Sequence, residues 1–196
     1  MLLSCGDALI DFLPVKSADG RDAIVPVAGG SCLNIAVGMA RLGVQAGFVG
    51  GISSDMLGRI VADHALASGV GLAYATRSDR QCTLAFVRSV AGEPQYAFYD
   101  EGSASRNWIY RSGSIPFGEV DAIHLGSTTL VSEAGAAQAL AVVREAKGSA
   151  TVSFDPNCRP NLVKDKSSYV ARMAEFARID LPQRPGCDPP QCMQRV

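Results

Sequence analysis

The sequence predicts an α/β protein, a mostly parallel sheet flanked by helices, and three observations carry that reading. Apolar strand-like segments alternate with helical ones between residues 2 and 177, Gly43 and Gly69 end the first two helical patterns, and a β-rich hairpin interrupts the alternation midway. At 196 residues, with 47% hydrophobic and 19% charged side chains, the chain is long enough for one full core and too short for two comfortable domains. Eighteen Lys+Arg against nineteen Asp+Glu give a net charge of -1, which provides no electrostatic footprint for nucleic acid or an anionic membrane. No apolar run approaches the roughly 20 residues of a membrane span, and Asp7 comes too early for a signal peptide, so a cytoplasmic location is expected.

Leu2–Leu13 reads as a buried strand that leads to the turn-rich segment Lys16–Gly20. Ile24–Ala28 is a second short strand, and Gly29-Gly30-Ser31 introduces a helix over Leu33–Leu42. Gln45–Gly50 then reads as a strand, Met56–Ala67 as a helix and Gly71–Thr76 as a strand. Cys82–Val90 and Gln95–Tyr99 are joined by Ala91-Gly92-Glu93-Pro94, a hairpin signal, and a hairpin inside an α/β chain suits a flap. The alternation resumes with strand Ala122–Leu125, helix Glu133–Lys147, strand Ala150–Phe154 and helix Asp165–Ala177. Residues 178–196 carry four of the ten prolines and no period of either kind, so they are expected to be an unpacked, disordered tail.

Cys5, Cys32 and Cys82 sit inside apolar segments, and no C-x-x-C occurs among the six cysteines, which favours reduced structural thiols over a disulfide framework. His64 and His124 are too few and too far apart for a Cys/His zinc site. There is no Walker-type phosphate loop, no third glycine after Gly69-Val70-Gly71 and no G-x-S-x-G elbow.

The most informative stretch is Ala28–Ala36, where paired glycines let backbone approach a ligand and the following helix N-terminus presents unpaired N–H groups. Asn34 falls one turn into an otherwise apolar helix, so its amide needs a partner, either a ligand or nearby backbone. Asp11 ends the first apolar run and either holds ligand hydroxyls or caps a turn. Asp155-Pro156-Asn157-Cys158-Arg159-Pro160 follows a strand at its carboxyl end, where open α/β sheets place ligands, although a Pro-Asn turn with a surface Arg fits as well. Ser127-Thr128-Thr129 at the same edge reads as a helix-capping loop.

Four ordered motifs then coincide: Cys5-Gly6-Asp7-Ala8-Leu9-Ile10-Asp11; Ala28-Gly29-Gly30 with Asn34, Ala36 and Ala40-Arg41-Leu42-Gly43; Gly50–Gly58; and Asp155-Pro156-Asn157 with Arg159. Together they resemble the N-terminal portion of the ribokinase-like (PfkB) carbohydrate kinases, most closely bacterial fructokinases. The resemblance implies a ribokinase-like domain over 1–177 with a small β-lid from about 24–28 and 82–99. It implies ATP-dependent phosphorylation of a sugar hydroxyl, with ATP and Mg2+ as cofactors of the full-length enzyme. Asp11, Gly29, Gly30 and Asn34 would hold the sugar, Arg159 would lie at its phosphate side, and Asp155 and Asn157 would support phosphate or metal. Fructose is the expected substrate, with 2-keto-3-deoxygluconate and ribose as alternatives. A lid carrying Phe86, Tyr96 and Phe98 suits a homodimer.

These kinases use a later Gly-Ala-Gly-Asp segment for the general base and phosphate binding, and no such segment occurs in this sequence. No catalytic residue is therefore assigned. The expectation is a sugar-binding half without its nucleotide-binding part, inactive alone, with a non-catalytic sugar-binding remnant as the alternative.

Overall fold

Gly6, Asp7 and Ala8 divide the opening apolar run into two strands that belong to different sheets. The computed structural model describes residues 1–90, 93–158 and 160–180. In it β1 (Leu2–Cys5) lies in a central sheet, and β2 (Leu9–Lys16) crosses into a smaller one. The single strand expected over Leu2–Leu13, an apolar run interrupted by Asp7 and Asp11, is therefore two strands, and the interruption at Gly6-Asp7 marks the change of sheet.

The chain continues through β3 (Asp22–Gly29), α1 (Ser31–Arg41), β4 (Ala46–Ser53), α2 (Met56–Ala67), β5 (Ala75–Ser78), β6 (Thr83–Val90) and β7 (Glu93–Tyr99). It closes with β8 (Ala122–Gly126), α3 (Glu133–Ala146), β9 (Thr151–Asp155) and α4 (Lys166–Asp180). The strand expected over Gly71–Thr76 is displaced to Ala75–Ser78, because Gly71 makes only an isolated bridge to Gly47. Helix α4 runs through Asp180, three residues past the expected end, and 181–196, most of the expected tail, lie outside the described residues.

The central sheet has the order β5-β4-β1-β8-β9 and every pairing in it is parallel. Helices cover both faces, as a buried parallel sheet requires. Leu3, Cys5, Ile123 and Leu125 point to the side of α3 and α4, where Val142, Val143, Met173 and Phe176 complete one core. Phe48 and Ile52 point to the other side, against Leu33, Ala36 and Val37 of α1 and Val61 and Ala65 of α2. Each fully buried Phe, Leu or Ile contributes about 1.5–3 kcal/mol relative to its exposed state.

The smaller sheet has the order β3-β2-β6-β7 and forms the lid. It contains the strand and hairpin expected for a lid, with β2 added between them. β2 pairs antiparallel with β3 and parallel with β6, while β6 and β7 form the antiparallel hairpin. Phe12 stacks on Phe86 at 4.6 Å between centroids, Phe86 meets Tyr99 edge-on at 5.6 Å, and Tyr96 stacks on Phe98 at 5.7 Å. Phe86, Tyr96 and Phe98 are half-buried, whereas Leu13, Val15, Val25 and Val27 are exposed. Among the described residues, no helix is long and apolar enough to cross a membrane.

Candidate functional site

The site begins where the lid joins the central sheet. Gly30 caps α1 with φ 107, a conformation open mainly to glycine, and a Cβ there would lie 2.6 Å from the Asp7 carbonyl oxygen. No side chain of the cap itself satisfies the helix. Asp7 does so instead: its Oδ1 accepts the Cys32 N–H at 3.1 Å and its carbonyl accepts the Leu33 N–H at 3.2 Å.

Asp7 is 2% exposed, and its other carboxylate oxygen accepts the hydroxyls of Ser127 at 2.7 Å and Thr128 at 3.3 Å. Ser127 holds φ 72 and ψ -163, a region that non-glycine residues avoid, and its N–H donates to the Asp155 carbonyl at 3.3 Å. One buried carboxylate thus fixes the α1 N-terminus against the carboxyl end of β8. Sequence reading missed Asp7, although a buried acid directly after a strand, inside a glycine motif, was the available signal. The capping role expected of Ser127–Thr129 falls to Ser132, whose Oγ accepts the Gly135 N–H at 3.1 Å.

Asp11 lies third in β2 rather than at a strand end, opposite Val27 on β3 and Ala85 on β6. Ala85 in turn faces Phe98 on β7, so Asp11 and Phe98 share one cross-strand row. The Asp11 carboxylate packs directly over Gly29, where a Cβ would come within 2.2 Å of its Oδ2. Among the described residues nothing donates a hydrogen bond to this carboxylate. Burial, and then the charge of Asp7, push its pKa above the usual carboxylate value.

Asn34 is exposed, so water can satisfy its amide and neither a ligand nor a backbone partner is required of it. Its place one turn after Gly30 puts it on the solvent side of α1, the buried face being Cys32, Leu33, Ala36 and Val37. The structure thus brings Asp11 over Gly29, with Gly30 next in the chain and Asn34 one helical turn beyond it on the exposed face of α1.

Asp155 and Asn157 meet in a tight turn at the carboxyl end of β9, where Asp155 Oδ1 accepts the Asn157 N–H at 2.8 Å and Asn157 adopts φ 40. Arg159 lies outside the described residues. Among the described residues no group of three His, Cys, Asp or Glu side chains is placed to hold a metal ion. Cys5, Cys32 and Cys82 are buried thiols outside any disulfide, and burial, followed by the charge of Asp55, pushes Cys82 up to about 12.

A cleft of about 860 Å³ opens beyond Phe98, walled by the end of β7, the loop carrying Arg106, and the first turns of α3 and α4. It does not include Asp11 or Gly29, but Phe98 joins it to the Asp11 row. The cleft and the Asp11 patch thus lie under one lid, at the carboxyl edge of the parallel strands, where open α/β sheets bind ligands.

The chain matches the family described as pfkB family carbohydrate kinase over residues 1–180. It is 39% identical over 180 residues to a fructokinase from Rhizobium leguminosarum bv. trifolii, covering 90% of this chain and 54% of that protein. The crystal structure of a fructokinase from Xylella fastidiosa superposes with a TM-score of 0.80 at 31% identity, covering 91% of this chain and 57% of that one. The structure of the Xylella fastidiosa fructokinase with bound ATP gives 0.81 at 30% identity, covering 91% and 58%. The chain spans about half the length of the curated relatives it matches.

Proposed function

The chain belongs to the pfkB family of carbohydrate kinases, and from that premise we propose that it carries the sugar-binding half of a fructokinase-type enzyme. The whole enzyme would transfer a phosphoryl group from ATP to a sugar hydroxyl. Asp11, Gly29, Gly30 and Asn34 hold the sugar in this reading, and Arg159, Asp155 and Asn157 stand at its phosphate side. The observation that carries it is the Asp11 carboxylate, half-buried over Gly29 and without a donor among the described residues. A desolvated carboxylate of this kind is satisfied by ligand hydroxyls, which donate to it without adding charge.

Among the described residues no group of three His, Cys, Asp or Glu side chains is placed to hold Mg2+. No Gly-Ala-Gly-Asp segment occurs in the sequence, and Asp155 is turned back onto its own loop. The second reading is a sugar binder without kinase turnover.

Calorimetric titration of the chain with fructose, ribose and 2-keto-3-deoxygluconate tests the proposal. Saturable fructose binding, weakened about tenfold or more in Asp11→Ala, is expected, since a hydrogen bond to a charged group contributes about 1.5–3 kcal/mol. A flat titration with all three sugars overturns the sugar reading, and sugar-dependent ADP release by the chain overturns the second. The exposed strip of Leu13, Val15, Val25 and Val27 supports a homodimer through the lid, which sedimentation of the Val25→Lys variant against the parent would test.

A further inference from the structure

We propose that Asp100 sets the charge selectivity of the sugar cleft by neutralising Arg106, so that the cleft admits neutral polyols and rejects sugar acids. The proposal rests on the reading of this cleft as part of the sugar site.

Asp100 directly follows β7, two residues after Phe98, and so stands where the Asp11 row opens into the cleft. The Arg106 guanidinium donates to one Asp100 oxygen through both Nε, at 2.9 Å, and Nη2. The two side chains are 12% and 15% exposed, so water screens the pair little. A guanidinium buried to this degree without its carboxylate would be an uncompensated charge, and it would recruit an anion. With Asp100 in place its remaining N–H groups can still serve neutral hydroxyls.

The other cations do not replace it. Lys164 is paired with Glu101 at 3.1 Å in open solvent. Arg172 is turned toward the carbonyls of Leu130 and Val131, at 3.2 and 2.8 Å. Glu133 and Asp165 also line the cleft, which leaves three positive side chains against four carboxylates. Among the described residues, a carboxylate-bearing sugar thus meets a slightly negative wall in which the Arg106 guanidinium is already taken by Asp100.

The test compares fructose and gluconate binding, by calorimetry and by the fluorescence of Trp108, the single tryptophan, which neighbours Asn107 in the cleft wall. The parent chain is expected to bind fructose and to ignore gluconate. Asp100→Asn should gain gluconate binding at least tenfold over the parent, and the gain should vanish in the double variant Asp100→Asn with Arg106→Gln. A folded Asp100→Asn protein whose gluconate affinity stays within twofold of the parent overturns the proposal. Asp100→Ser provides a second replacement, and if neither variant folds, the pair is structural and the proposal is equally overturned. A parent that ignores fructose while Asp100→Asn binds gluconate would sink the sugar reading and leave the charge lock standing.

Discussion

The Asp7 carboxylate accepts the Ser127 hydroxyl at 2.7 Å, joining the first turn of the chain to a loop 120 residues later. The same group holds the N-terminus of α1, so two separate elements of the site depend on one buried charge. Asp7→Ala should destabilise the fold by about 3 kcal/mol or more, because hydrogen bonds to a charged group contribute about 1.5–3 kcal/mol each and Ser127 loses what holds its strained backbone. Urea unfolding measures this, and a loss below about 1 kcal/mol would show that water or a neighbour replaces the carboxylate.

Asp11 has the opposite character. Its pKa is raised in the fold by burial and by Asp7, so the folded chain binds its proton more tightly than the unfolded chain does. The sign follows: its ionisation costs stability, the cost is absent below the unfolded value of about 3.9, and stability falls as pH rises through the folded value. Asp11→Asn should therefore flatten the pH dependence of melting just above that range and leave the neutral-pH melting temperature equal or higher. A clear drop in melting temperature at pH 7 would reveal a structural role instead.

Gly29→Ala separates packing from binding. The added methyl would sit 2.2 Å from Asp11 Oδ2, and the carboxylate, at the end of a movable side chain, must swing away. Sugar affinity should fall about tenfold while stability changes by less than about 1 kcal/mol, since alanine suits a strand no worse than glycine. Asn34→Ala should weaken binding less, because a neutral hydrogen bond contributes about 0.5–1.5 kcal/mol. If Asn34→Ala proves the more damaging of the two, the assignment of Asp11 as the main contact fails.

Gly38 lies on the exposed face of α1, and a methyl there meets nothing within 4 Å. Gly38→Ala should stabilise the chain by about 0.5–1 kcal/mol, or about 2 °C in melting temperature for a chain of this length. Binding of sugar should be unchanged, which makes this variant a control for the others. A lower melting temperature would mean that the α1 surface is covered in solution.

Much of this architecture was legible in the sequence because the parallel sheet and its helices follow hydropathy periods that side-chain burial itself creates. Met56–Ala67 is helical to the residue, and β8 and α3 end within one residue of their expected bounds. The change of sheet was harder to read: Leu3 and Ile10 are equally buried yet serve different cores, and the interruption at Gly6-Asp7 reads equally as a break within one strand. Local reasoning failed at Asn34 for a related reason. Asn34 falls within an otherwise apolar helix, but α1 buries one stripe and leaves Asn34 outside it. The Asp100–Arg106 pair was equally hidden, since a six-residue separation in a loop has no periodicity that predicts contact.

The parallel pairing of Leu9 with Thr83 also bears on how the chain emerges from the ribosome. The β2–β3 hairpin is delivered early, but its inner neighbour β6 follows only after α1, β4 and α2, an interval of about 4–15 s between residues 9 and 83 at about 5–20 residues per second. During that interval the edge of β2 that β6 will cover is open, beside the apolar Leu13, Val15, Val25 and Val27. The nascent lid thus carries an open apolar edge until β6 arrives, and slowing translation before residue 83 should lower the soluble yield more than slowing it afterwards.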